Sequence, residues 1–199
     1  MCKKYFDDKR LRFPNYDKSI LSTITSILNY YGVDNSHVSL NSVNKIIQKK
    51  YKNVVLLILD GMGRNLINET IPNGFFIKNK IKDITSVCPS TTTAALTTYY
   101  SGKPPIETGW IAWSQYFKEI GRSLDMLPGK DSYTGENYDK KARINVMDLV
   151  SYKTVFTQIE EASANVKTYE IQPSNCSSKS KKSIKAENVK DMCDIIEAI

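Results

Sequence analysis

Val54-Val55-Leu56-Leu57-Ile58-Leu59-Asp60-Gly61-Met62-Gly63 is the stretch on which the reading of this chain turns. Its first six residues are apolar without alternation, and three of them, Val54, Val55 and Ile58, are β-branched. A run of that length with no polar face reads as a strand covered on both sides. The fold class that follows is α/β: a mostly parallel central sheet flanked by helices on both faces. In such sheets ligands gather beyond the carboxyl ends of the strands. Asp60 stands at that end, where a carboxylate can hold a cation, and Gly61 and Gly63 let the backbone turn sharply.

Further along, Ile84-Thr85-Ser86-Val87 is a second short β-like run, followed by Cys88-Pro89-Ser90-Thr91-Thr92-Thr93-Ala94-Ala95-Leu96. Thr93 to Tyr100 lacks Gly and Pro and reads as a helix. The threonines therefore lie where a strand hands over to a helix, and free N–H groups there attract anions, phosphate included. A hydroxyl at that place is a candidate nucleophile, although a free Thr is a poor one and needs activation. A metal at Asp60 would supply it. The same residues also suit plainer roles, an Asp closing a turn and a Thr capping a helix.

The order of these motifs resembles the alkaline phosphatase superfamily, and most of all its nucleotide pyrophosphatase/phosphodiesterase branch. The match consists of Asp60-Gly61, Pro89-Ser90-Thr91-Thr92, Ser101-Gly102 and Pro105-Ile106-Glu107-Thr108-Gly109, within about residues 52–113. The resemblance implies that Thr92 is the nucleophile and a metal ligand, and that Asp60 is a second ligand. The Thr93 backbone N–H would help hold the phosphoryl oxygens, and Trp110 and Trp113 would wall the substrate pocket. It further implies two divalent metal ions, zinc by ligand type, and a small phosphorylated substrate such as a nucleotide or phosphodiester. The activity implied is hydrolysis of phosphodiester or pyrophosphate bonds through a phosphothreonine intermediate. A phosphomonoesterase, a phospho-group mutase or transferase, and a non-catalytic anion- or partner-binding remnant are the alternatives. The sulfatase pattern does not fit: Thr92 stands ten residues before Gly102, with Ala94 and Leu96 where Pro and Arg would be required. The Asn that holds phosphate in many members falls at Ala95, which leaves the substrate class open.

The family takes further ligands, histidines among them, from a later part of a longer chain. Here His37 is the only histidine, and it sits in a polar link before the first strand, where an exposed loop role is expected. The second metal site is thus incomplete. The chain reads as the N-terminal part of one catalytic domain, with 1–51 a helical lead-in and 52–199 a partial α/β core, and it should be close to inactive alone.

Ser19 to Tyr31 reads as an amphipathic helix stopped by Gly32, and Ser39 to Lys50 as another. Arg64 to Thr70 is expected to be helical. Trp110 and Trp113 are also compatible with the core, and residues 121–143 look like a polar surface excursion. Thr154 to Ala164 reads as a helix, Val166 to Ile171 as a strand, and 172–183 as a Ser/Lys-rich loop. Glu187 to Ile199 is expected to be a helix with Val189, Met192, Ile195, Ile196 and Ile199 inward. The net charge of +7 is diffuse, which suits anionic substrates and gives no case for nucleic-acid binding. The four cysteines form no Cys-x-x-Cys pair, and Cys88 reads as a buried small hydrophobe. With Cys2, Lys3 and Lys4 at the start and no membrane-length apolar segment, a cytoplasmic location is expected.

Overall fold

Ser19 starts the first helix, α1 (Ile20–Tyr30), by accepting hydrogen bonds from the N–H groups of Leu21 and Ser22, while Ser22 Oγ accepts from Ser19 N. This capping box uses serine at both ends. The computed structural model describes residues 13–138, 145–174, 176 and 180–199. Leu21, Ile24 and Leu28 of α1 pack against Val155 and Ile159 of a later helix, forming one core. Their spacing of three to four residues puts them on one helical face. Gly32, at φ 80°, ends the helix as expected.

α2 (Asn41–Ile47) is shorter than the pattern indicated, and the Leu40 N–H before it donates to Ser26 Oγ at 2.8 Å, tying it to α1. α3 (Arg64–Thr70) falls where it was expected, and α4 (Phe75–Lys78) follows the turn at Ile71–Gly74. α5 (Thr92–Ser101) is capped by Thr91, whose Oγ1 accepts from Ala94 N at 3.2 Å, and ends at Gly102 with φ 70°. α6 (Pro105–Thr108) ends at Gly109, also left-handed. α5 lies against α1, with Ile20, Val87 and Ala94 buried between them.

The sheets differ from the expected architecture. β1 (Ser114–Phe117), β2 (Arg122–Asp125) and β3 (Lys130–Asp131) form an antiparallel sheet in sequential order, with Gln115 opposite Leu124. After α7 (Val146–Leu149) and α8 (Val155–Ala162), β4 (Glu170–Pro173) and β5 (Ser183–Ala186) form a separate parallel pair, followed by α9 (Val189–Ala198). The chain is therefore mixed α and β. A mostly parallel central sheet is not formed among the described residues.

Val54–Leu59 explains the difference. Among the described residues it pairs with no strand, and Val55 to Leu59 are 39–61% exposed. A strand without a neighbour cannot satisfy its backbone groups within a sheet. Among the described residues the second run makes one parallel bridge, Thr85 to Ser19.

Three further expectations are corrected. Residues 121–138 are not a surface excursion: Leu124 and Met126 are buried with Trp110, Phe117 and Val146 in a second core. Gln172 belongs to β4 rather than a loop. None of the residues of α9 is buried, and Val189 is 75% exposed. The expected segments 1–12 and 139–144, with Cys2, lie outside the described residues. No helix among the described residues is long and apolar enough to cross a membrane.

Candidate phosphoryl-binding site

The unpaired stretch delivers Asp60 to the amino end of α5. Gly61, at φ 70°, turns the chain, and its N–H donates to Asp60 Oδ1 at 3.0 Å. The other carboxylate oxygen, Oδ2, accepts from Thr92 Oγ1 at 3.4 Å across 32 residues of sequence. The two side chains singled out from separate motifs thus meet. At that length the bond is weak, and Asp60 is exposed while Thr92 is half-buried. Thr92 is the first residue of α5, so the site coincides with the positive end of a helix of ten residues.

Thr93 comes next and is fully buried, with no hydrogen-bond partner for its hydroxyl among the described residues. Its backbone N–H shares that burial and has no accessible surface. It lies in the first turn, where N–H groups have no helical acceptor, and the Thr91 cap takes Ala94 N instead.

Trp110 and Trp113 part company. Trp110 has 0% exposure, its Nε1 donates to Val150 O at 2.8 Å, and its ring meets Tyr152 edge to face at 5.5 Å. A ring without accessible surface stacks on no ligand, so Trp110 takes the core alternative. Trp113 is 48% exposed.

His37 is not a free loop histidine. Its Nε2 lies 3.0 Å from Glu107 Oε1 and its ring is only 22% exposed. Asn35 accepts from His37 N and donates through Nδ2 to Gly102 O, so the link 34–37 is fastened to the α5–α6 junction. The partners lie 70 residues apart, and no local pattern announces such a pair. Cys88 is exposed rather than buried, its N–H donating to the Tyr16 hydroxyl at 3.3 Å.

The donor set decides what this chain can hold. A zinc ion takes about four ligands, chiefly His, Cys and Asp. Asp60 and Thr92 supply one carboxylate and one hydroxyl, and the lone histidine is engaged with Glu107. Among the described residues no group of three or more His, Cys, Asp or Glu is arranged for a metal. The described residues do not fit a two-metal centre.

A small cleft of about 170 Å³ lies elsewhere, beside β2 and β3, lined by Arg122, Asp131, Thr134, Glu136 and Tyr138. Its Asp131 accepts the N–H groups of Thr134 and Tyr133, which hold its carboxyl below the usual range, with Arg122 adding to the effect. Nearby, Asp125 is lowered mainly by the hydroxyl of Ser114 and also by that of Ser132. These bonds stitch the hairpin together, and none of the cleft residues touches the Asp60–Thr92 pair.

Comparisons with family models, with curated proteins and with solved structures found no match.

Proposed function

We propose that this chain carries the nucleophile half of a hydrolase of phosphodiester or pyrophosphate bonds, and that it is close to inactive alone. The observation that carries the reading is the meeting of Asp60 and Thr92 at the amino end of α5. In this reading Thr92 Oγ1 gives its proton to Asp60 and attacks phosphorus. The P–O bond to the leaving alcohol or phosphate breaks, and that group departs with a proton. Water later hydrolyses the phosphothreonine to free Thr92 and phosphate or its monoester. With its proton directed to Asp60, the hydroxyl keeps its lone pairs free for the attack. The N–H groups of the first turn receive the phosphoryl oxygens, that of Thr93 only after its buried turn opens to the ligand. No step is assigned to a metal, because the donor set does not fit the pair of ions that the resemblance implies. The same shortage is why little turnover is expected.

The exposed position of Asp60 and the short donor set also favour a second reading, a domain that binds a phosphoryl group without transferring it. One titration and one mass measurement separate the two. A nucleoside monophosphate titrated into the ¹⁵N-labelled chain should shift the amide signals of Thr92 and Thr93 selectively. No shift there would sink both readings. Incubation with an activated aryl phosphodiester should then give a slow phosphoryl adduct at Thr92, absent in Thr92→Ala. Binding without any adduct favours the second reading. Rapid turnover by the chain alone, lost in Thr92→Ala, would overturn the claim of near-inactivity.

A further inference from the structure

Val54–Leu59 lies in no helix or strand, and no backbone N–H or C=O of these residues is hydrogen-bonded to another described residue. Successive side chains of a strand point to opposite faces, so in strand form the exposed Val55 to Leu59 would present apolar surface on both. The residues that follow in sequence continue the pattern: half of the large apolar side chains exposed among the described residues lie in 55–84, Phe75 at 74% and Ile81 at 65% among them. Five consecutive exposed apolar residues are the kind of surface that an interaction covers.

We propose that Val54–Leu59 is a docking strand for a second polypeptide, an extended apolar segment with acidic residues at one end, which adds to it through main-chain hydrogen bonds. A lipid surface would cover the side chains but would leave the amide groups unpaired in an apolar medium, which is costly. An added strand satisfies both. The acidic end follows from the lysines that lead into the strand. Lys49, Lys50 and Lys52 are exposed, and none has an acidic partner among the described residues. A second copy of this chain would bring the same lysines and the same net charge of +7. An acid-ended segment complements them and steers its own association. The strand runs directly into Asp60, so the docked segment lies beside the candidate phosphoryl site. The proposal does not depend on the chemistry of that site.

The probe is a fluorescent peptide of alternating valine and threonine closed by glutamates, added to the full chain. Saturable binding by anisotropy is expected, together with slowed amide exchange confined to about residues 54–59. Ile58→Pro removes a donor without touching either core, and should weaken binding about tenfold or more. Reversing the three lysines to Glu should weaken it by a similar factor, about tenfold, and a peptide closed by lysines should recover the loss. Thr92→Ala should bind the peptide unchanged, so failure of the proposed chemistry and failure of docking are told apart. Equal binding of a backbone N-methylated peptide would overturn the proposal, as would a charge reversal that the lysine-ended peptide does not recover. Slowed exchange at 54–59 that grows with protein concentration in the absence of peptide would assign the strand to a second copy instead. Uptake by anionic vesicles that the peptide cannot displace would assign it to a membrane, and no binding at all would also sink the proposal.

Discussion

Gly102 carries two constraints at once. Its φ of 70° is left-handed, and a Cβ there would stand 2.4 Å from Leu28 Cδ1. Gly102→Ala is therefore expected to cost roughly 1–3 kcal/mol, through backbone strain and overpacking together, read as a lower urea midpoint at unchanged slope. Thr92→Ala should behave in the opposite manner. Its one side-chain bond is long and ends on an exposed carboxylate, so the stability change should stay within about 0.5 kcal/mol. Any loss of adduct formation in that variant then belongs to chemistry and not to folding. The tryptophans give a third residue-level check. Iodide should quench Trp113, while Trp113→Phe should leave a blue-shifted emission from buried Trp110 that iodide barely reaches. Strong quenching in that variant would contradict the burial of Trp110.

Elements show how acids fasten the later part of the chain. Glu160 on α8 accepts from Lys182 Nζ at 2.8 Å and from the hydroxyl and N–H of Thr168, and its carboxyl is held down at about 2. The folded value lies below the ordinary 4.5. The stabilisation is therefore complete above the ordinary value and disappears as pH falls from there toward about 2. Both side chains are more than a third exposed, so the effect is small and screened by salt. Glu160→Gln should flatten the acid limb of a plot of stability against pH, and leave neutral-pH stability little changed. The unpaired strand has a different signature. Exposed apolar residues with open backbone edges invite edge-to-edge association. Leu57→Lys is expected to reduce light scattering at high protein concentration with little change in Tm, since Leu57 is 60% exposed. A large fall in Tm would mean that Leu57 packs inside the fold.

Across the whole molecule, surface is abundant. The chain of 22.6 kDa exposes 13685 Å², whereas a compact monomer of that mass exposes about 9,500 Å². Less area is buried than the length allows, and it is shared between the α1–α5–α8 core and the hairpin core around Trp110. The urea m-value should accordingly fall below that of a compact domain of the same length, because m follows the area exposed on unfolding. An m-value typical of a compact domain would show that the apolar face at 55–84 is covered in solution.

Helices were legible in the residue order because their causes are local. Ser19 and Thr91 cap, Gly32 and Gly102 terminate, and Leu21, Ile24 and Leu28 recur at helical spacing. Asp60 and Thr92 were legible as candidates for a similar reason: each stands where a β-like run ends or a helix begins. The alternation of Leu124 and Met126 was also in plain view, although the turns around it suggested a surface loop. Strand pairing was not legible. Val54–Leu59 has every local property of a buried strand, yet a strand exists only if another strand lies alongside, and none does among the described residues. The burial of Trp110, the pairing of His37 with Glu107 and the approach of Thr92 to Asp60 likewise needed the folded chain. Caps and periodicity act over a few residues, whereas these contacts join segments tens of residues apart, and their formation depends on how the intervening chain packs.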